Sequence, residues 1–417
     1  MGKTIAEKIF SRHFGRSCSA GDIVICSPDL LLTHDANRPI VADVLKKMGT
    51  QTVFYPKRTV VVIDHYTPSH DETTANVHSN LRKFAENYGT NFFDSEGVCH
   101  QLVSEKGLVV PGDLVIGSDS HMCTQGALNA FASGVGSTDL AVALTQGNLW
   151  FQVPQSFKII LKGRFKEGVF AKDLIMHLVG KLSARGAVYA CLEFGGDAIP
   201  SLSIESRLTI CNMAVETGAK SGIMPYDEIL AEWLKEKTLR PGIPTFPDAD
   251  AIYQNVHEIE LKDLDPLVAR PHRVDDVVSV NELVGVSINQ ANLAGCTASR
   301  LEDLHVAAKI LRGRKIHKNV RLMVVPASQE ILLNAMQEGI IETLIKAGGV
   351  LANPSCKACS SGPRYGVPAD GENIITSANR NFQGRAGNPN AFIYLASPAT
   401  VAASAITGHI TDCREFI

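Results

Sequence analysis

"DLVIGSDS", residues 113–120, passes from an apolar run directly into a polar cluster that His121 completes. A short apolar run bounded in this way reads as a strand buried on both faces, the kind that builds parallel sheets. The same pattern recurs in "TVVVID" (59–64), "RLMVVPAS" (321–328), "NIITSAN" (373–379) and "AFIYLASP" (391–398). Between such strands, "LEDLHVAAKILRG" (301–313) and "SQEILLNAMQEGIIETLIKAG" (328–348) carry apolar residues at helical spacing. The predicted class is α/β with largely parallel sheets. Asp64-His65, Asp119-Ser120-His121 and Asn379-Arg380 each end a predicted strand. Ligands of open parallel sheets bind at the strands' carboxyl ends, so these clusters are candidates for one shared cleft.

A chain of 417 residues exceeds what a single core serves. The Pro-rich "LRPGIPTFPDAD" (239–250) and the polar "DLDPLVARPHRVDD" (263–276) suggest division points. We expect three α/β domains, over 1–153, 154–278 and 279–417, around a shared cleft. At 45% hydrophobic and 20% charged residues the chain has an ordinary soluble composition, with no apolar run long enough to span a bilayer. A net charge of −3 without long Lys/Arg runs gives no electrostatic footprint for nucleic acid. The expected partner is a small acidic molecule, received by local Arg and His clusters. Ten cysteines without framework spacing, and an N-terminus "MGKTIAEKIFSRHFG" without an apolar signal core, point to reduced thiols and a cytoplasmic location.

"LANPSCKACSSGPRYG" (351–366) sets Cys356 and Cys359 two residues apart on a loop, and "NLAGCTASRLEDL" (292–304) adds Cys296. Thr297, Ala298 and Ser299 are positioned to cap a helix starting near Leu301, which would put Cys296 at a helix N-terminus, where a thiolate is favoured. Structural zinc closes with four ligands, whereas a cluster that touches substrate keeps one metal free of protein. One cysteine plus Cys-x-x-Cys fits the second case; zinc completed by a nearby histidine stays open at this point. Cys191 and Cys211 read as buried packing residues.

The order of "DH" (64–65), "GVCHQ" (97–101), "SDSHMCTQGALNAFASGVGSTDLA" (118–141), "LEFGGD" (192–197), "RLTICNMAVETGAKSGIM" (207–224), "GCTASR" (295–300), "CKAC" (356–359) and "NRNFQGR" (379–385) resembles the aconitase superfamily along essentially the whole chain. Within it, the resemblance is to the branch of 3-isopropylmalate dehydratase and homoaconitase large subunits. It implies a 4Fe-4S cluster on Cys296, Cys356 and Cys359, with one iron left for substrate. It also implies loss and readdition of water on a hydroxy di- or tricarboxylate, with isopropylmalate and leucine biosynthesis first and homocitrate or dimethylmalate as alternatives. By motif, Asp64 and His65 deliver a proton to the departing hydroxyl, Asp119 pairs with His100, and Glu193 pairs with His121. Ser120, Asn379, Arg380 and Arg385 fall on the substrate side, and His34, Asn37 and Arg38 in "LTHDANRP" lie beside the site.

The family's single-chain members carry a fourth, swivelling domain with a serine base, and no such motif follows here. The resemblance therefore implies a small-subunit partner that supplies the domain and the base. Met122 stands where the family usually has Thr, and Lys357, Ser360 and Ser361 depart from the usual cluster loop. Two other classes compete: a zinc-dependent hydrolase, for which there is no HExxH helix, and a non-catalytic iron or zinc binding protein, which would have no need of the acid–base residues.

Overall fold

The computed structural model describes residues 2–49, 52–238, 240–357, 359 and 366–417. Its first sheet has the order Asn91–Asp94, Thr59–Ile63, Leu30–His34, Leu114–Gly117, Phe131–Gly134, with every neighbouring pair parallel. Leu114–Gly117 and Thr59–Ile63 are buried at every position, which is why they read as unbroken apolar runs. The second sheet, Ser221–Ile223, Cys191–Gly195, Ser156–Lys162, Asn255–Glu260, is also parallel. The third has seven strands. Phe392–Ala396, Asn373–Thr376, Gln290–Leu293, Arg321–Val324 and Val350–Leu351 run parallel, and Leu267–Ala269 and Val277–Ser279 extend it antiparallel. Leu267–Ala269 thus joins the C-terminal sheet although it lies within the middle domain expected up to residue 278, and Val277–Ser279 straddles that boundary. A two-stranded antiparallel ribbon, Ile23–Cys26 with Leu149–Gln152, stands apart.

The helices follow local chemistry. Glu72–Tyr88 starts where the Asp71 side chain accepts the Thr74 N–H and stops at Gly89 in the left-handed region. The periodic stretch 328–348 is two helices, Gln329–Gln337 and Ile340–Ala347, because Gly339 takes φ 72° between them. Leu301–Leu311 begins as predicted, but Thr297, Ala298 and Ser299 do not cap it: Arg300 is the N-cap residue, and its N–H donates to the Asp303 carboxylate at 2.9 Å. Cys296 lies four residues before that cap, so the expected help from the helix end is absent. Close packing joins the first sheet's unit to the second, since a Cβ on Gly126 would come within 1.7 Å of the Gly222 carbonyl oxygen. No helix among the described residues is long and apolar enough to cross a membrane.

Candidate active site

The cysteines and the acid–base residues reach one region because each follows a parallel strand. Cys296 comes after Gln290–Leu293, Cys356 and Cys359 after Val350–Leu351, Asn379 after Asn373–Thr376, Asp64 after Thr59–Ile63, and Asp119 after Leu114–Gly117. The backbone fastens two of these segments together, with the Cys356 N–H donating to the Asp64 carbonyl at 2.9 Å.

Asp119 is the hub. Oδ1 accepts from His100 Nε2 at 2.8 Å and from the His121 N–H at 2.8 Å, while Oδ2 stands 3.5 Å from both His65 Nε2 and His34 Nε2. Burial opposes its ionisation, yet His100, His121 and His65 outweigh burial and hold the carboxyl well below its usual range. His65 Nδ1 is 2.7 Å from Asp64 Oδ1, whose other oxygen accepts the Cys99 N–H at 2.8 Å. Burial would favour neutral His65, but Asp64, Cys356 and Asp119 raise its pKa well above the ordinary value. Stacked on it, centroid to centroid at 4.0 Å, is His34, which burial and the His65 charge push down to about 4. A charged imidazole thus lies against a neutral one.

Behind His65 stands Asp35. It accepts the His65 N–H at 3.0 Å and the Tyr66 N–H at 2.7 Å, and His78 Nε2 reaches it at 3.2 Å. Asp35 lies within the quoted stretch "LTHDANRP" but is not among the residues singled out there, and His78 belongs to none of the quoted motifs. Asn37 donates to His34 Nε2 at 3.0 Å.

The expected Glu193–His121 pair is not formed. Glu193 is the third of five residues in Cys191–Gly195, inside the strand rather than at its end. Its oxygens accept from the Ile5 and Ala6 amides at 3.1 and 3.0 Å, Ser156 Oγ at 2.9 Å and Tyr253 OH at 3.1 Å. It holds the start of the helix Ile5–Phe14, away from the cleft. Glu216 takes the place expected for it: Oε1 is 2.8 Å from His121 Nε2 and 2.7 Å from Arg380 Nε. Against burial, His121 and Arg380 keep that carboxyl below its usual range. Glu216 lies in the quoted segment 207–224, but only folding shows that it, rather than Glu193, faces His121.

The three cysteines are buried, each exposed by 9% or less. Asn212 and Asn379 direct amide nitrogens to Cys296 Sγ at 3.1 and 3.4 Å, and Cys359 Sγ is 2.9 Å from Asn379 Oδ1. Arg385 Nη2 stands 3.8 Å from Cys359 Sγ. Arg300, fully buried, grips the Cys296 carbonyl through Nη2 at 2.5 Å and Gln101 through Nε at 2.9 Å. Among the described residues, no group of His, Cys, Asp or Glu with ligand atoms all within 4.8 Å of one another contains these cysteines. Three thiolates on one zinc ion, each at ~2.3 Å, would stand only about 3.8 Å apart. At least one pair of these sulfurs therefore stands beyond 4.8 Å, wider than one zinc ion allows, and the amide donors aimed at sulfur suit a polynuclear cluster. His100 Nδ1 and Arg385 Nε are buried without a hydrogen-bond partner among the described residues, leaving donor or acceptor capacity for a ligand.

Ser120 follows the hub residue, and its Oγ is 3.5 Å from His121 Nδ1. Met122 is fully buried, and Lys357 Nζ donates to the Pro68 carbonyl at 3.1 Å. Ser360 and Ser361 lie outside the described residues. A cavity of 680 Å³ begins at Asn37, Asp119 and Ser120 and runs outward to Trp150, Tyr189 and Lys220. The large concavity therefore adjoins the carboxylate–imidazole end of the site.

Fold and site define an α/β protein that brings three buried cysteine thiols up to a charged carboxylate–imidazole network. The chain belongs to the aconitase family (aconitate hydratase), whose profile matches residues 7–287 and 282–408. It is 44% identical over 419 residues to a 3-isopropylmalate dehydratase large subunit of Methanopyrus kandleri, covering 100% of both chains. A Thermotoga maritima protein of the same description is 44% identical and one from Archaeoglobus fulgidus 46% identical, each again covering 100% of both chains. The crystal structure of Thermococcus kodakaraensis aconitase X shares the fold, with TM-score 0.51 at 13% identity over 90% of this chain and 89% of that one.

Proposed function

We propose that this chain is the large, cluster-carrying subunit of a cytoplasmic 3-isopropylmalate dehydratase, which interconverts 2- and 3-isopropylmalate by removing and restoring water. The observation that carries the reading is the convergence of Cys296, Cys356 and Cys359 with the Asp119-centred histidines and two arginines. The 42–46% identity to full-length dehydratase large subunits supports the substrate. Their description as large subunits supports a small-subunit partner, which would bring a swivelling domain and a serine base. Three α/β domains are the organisation we assign, divided near residue 153 and, because the strand Leu267–Ala269 belongs to the C-terminal sheet, before Leu267 rather than at the expected 278.

A 4Fe-4S cluster held by Cys296, Cys356 and Cys359, with one iron free of protein ligands, supplies Lewis acidity when bound. His65, with a carboxylate near each ring nitrogen, holds a proton to give to the hydroxyl that leaves as water. Asp64 fixes that ring, and Asp119 orients His100 and His121 around the same oxygen. Arg380 and Arg385 receive substrate carboxylates, for which a guanidinium offers paired donors. Ser120 and Asn379 line the substrate's path. The proton on the neighbouring carbon goes to the partner's base.

The test is to reconstitute the chain without oxygen and count iron, sulfide and zinc. Activity on 2-isopropylmalate is then measured with and without a dehydratase small subunit. Four irons and four sulfides per chain, with turnover only in the pair, is the expected result. Stoichiometric zinc without sulfide would sink the reading.

The two glutamates should separate cleanly. Glu216→Gln, which leaves Arg380 and His121 without their shared anion, is expected to slow turnover roughly 10- to 100-fold. Glu193→Gln puts an amide NH2 against donors that need an acceptor, costing ~1–3 kcal/mol in urea unfolding with kcat unchanged. A slow but stable Glu193→Gln enzyme would reverse the assignment.

A further inference from the structure

Lys172 is the second residue of the helix Ala171–Leu182 and is only 1% exposed. Its Nζ donates to the Ala378 carbonyl at 2.6 Å and stands 3.1 Å from Met213 Sδ. No carboxylate among the described residues forms a salt bridge with it. Neighbouring Asp173 uses its oxygens on the Leu267 and Phe170 amides, both at 2.9 Å. A buried ammonium without a countercharge is strongly unfavourable, so its placement calls for a negative group nearby. Burial pushes its pKa down to about 8, and the groups working against that are, in order, Cys359, Cys296, Glu216 and Asp303.

Both contacts of the ammonium adjoin the amides that face sulfur. Met213 follows Asn212 and Ala378 precedes Asn379, the pair whose nitrogens approach Cys296 Sγ at 3.1 and 3.4 Å. One cation thus bridges the Met213 side chain and the Ala378 carbonyl, each next in sequence to an asparagine whose amide faces Cys296 Sγ. Neither of its two contacts is an acid–base residue of the site.

We propose that Lys172 is the fixed countercharge of the three-thiolate centre, a positioning residue that sets the reduction potential of the group those sulfurs hold. The proposal rests on the cluster reading above. Cluster potential responds to net charge and to hydrogen bonds at sulfur. A fixed positive charge favours the reduced, more negative state, so removing it makes reduction harder.

The experiment compares wild type with Lys172→Met, which keeps the bulk, Lys172→Gln, which keeps a donor, and Lys172→Arg, which keeps the charge. Iron and sulfide are counted first, and the midpoint potential is then taken by EPR-monitored redox titration. At the wild-type midpoint, the reduced-to-oxidised ratio in the Met and Gln variants is expected to fall about tenfold. That is about 59 mV more negative for a one-electron couple. Lys172→Arg is expected to keep the wild-type value. An unchanged midpoint in loaded Met and Gln variants overturns the proposal. Failure of both to fold also overturns it, making Lys172 a strut for the Met213 and Ala378 segments. Absence of iron and sulfide from the wild type itself defeats the cluster reading, and the countercharge with it.

Discussion

Replacing Cys356 by serine is expected to give a folded chain that retains no stable cluster and, with its small subunit, turns over at least ~10³-fold more slowly. The fold should survive because Cys356 sits on a loop and, although buried, belongs to none of the hydrophobic core clusters among the described residues. Its structural bond is a backbone one, the N–H to the Asp64 carbonyl at 2.9 Å, and serine keeps that. Metal binding needs the thiolate, and a serine hydroxyl is far harder to deprotonate and a poorer match for iron. Thermal unfolding of the cluster-free protein should therefore differ from wild type by no more than about 1 kcal/mol. Iron and sulfide analysis, EPR and the coupled assay decide the matter. Four irons retained by Cys356→Ser would remove this residue from the ligand set. The equivalent change at Cys296 is a less clean test, because two asparagine amides already address its sulfur at 3.1 and 3.4 Å and it lies deeper in the core.

The contrast between these cysteines shows what a sequence exposes and what it conceals. Asp64, His65 and Asp119 were legible because parallel strands buried on both faces end abruptly in polar residues, and such ends have one geometric fate. The Cys356–Cys359 pair draws notice because thiols on a polar loop have few structural reasons to be there, while joining Cys296 to them as a cluster set rests on the family resemblance. Glu216 was not, because nothing local separates it from Glu193: both are acidic residues in quoted motifs, and the choice depends on which one the His121 ring meets, 95 residues away. Lys172 was hidden for a related reason. In the sequence it is an ordinary lysine in an amphipathic helix, and its meaning comes from segments 41 and 206 residues further along. Asp35 shows the intermediate case: it falls inside the quoted stretch "LTHDANRP" without being singled out, and its three-way grip on the turn at His65 appears only in the fold. The helix break at Gly339 was readable from the glycine alone, but the apolar period running through it masked the break. Fold and first contacts follow from local pattern; second contacts depend on tertiary register.

Asp119→Asn should reduce turnover roughly 10²- to 10⁴-fold while altering the shape of the site little. Asparagine keeps one oxygen for His100 Nε2 and the His121 N–H, so geometry is largely preserved and the change is in charge. Four imidazoles, those of His34, His65, His100 and His121, lie within 3.6 Å of this one carboxylate. Without it His65 loses one of the groups that raise its pKa, and the proton donor becomes neutral at lower pH. The same loss appears in stability. Asp119 has a depressed folded pKa, so its contribution is whole above the unfolded carboxylate value of ~3.9 and is lost as pH falls through the folded value. His65 has a raised folded pKa, so its contribution is whole below ~6.5 and is lost as pH rises through the folded value. In cluster-free protein the stability gap between wild type and Asp119→Asn should therefore be widest between about pH 4 and 6.5. It should narrow on the acid side as wild-type Asp119 protonates, and on the alkaline side as His65 loses its proton. Denaturant unfolding across pH 3 to 9 measures the gap; a gap of constant size would mean that Asp119 serves the site as a hydrogen-bond acceptor alone, and that its charge does not hold His65 in the protonated form.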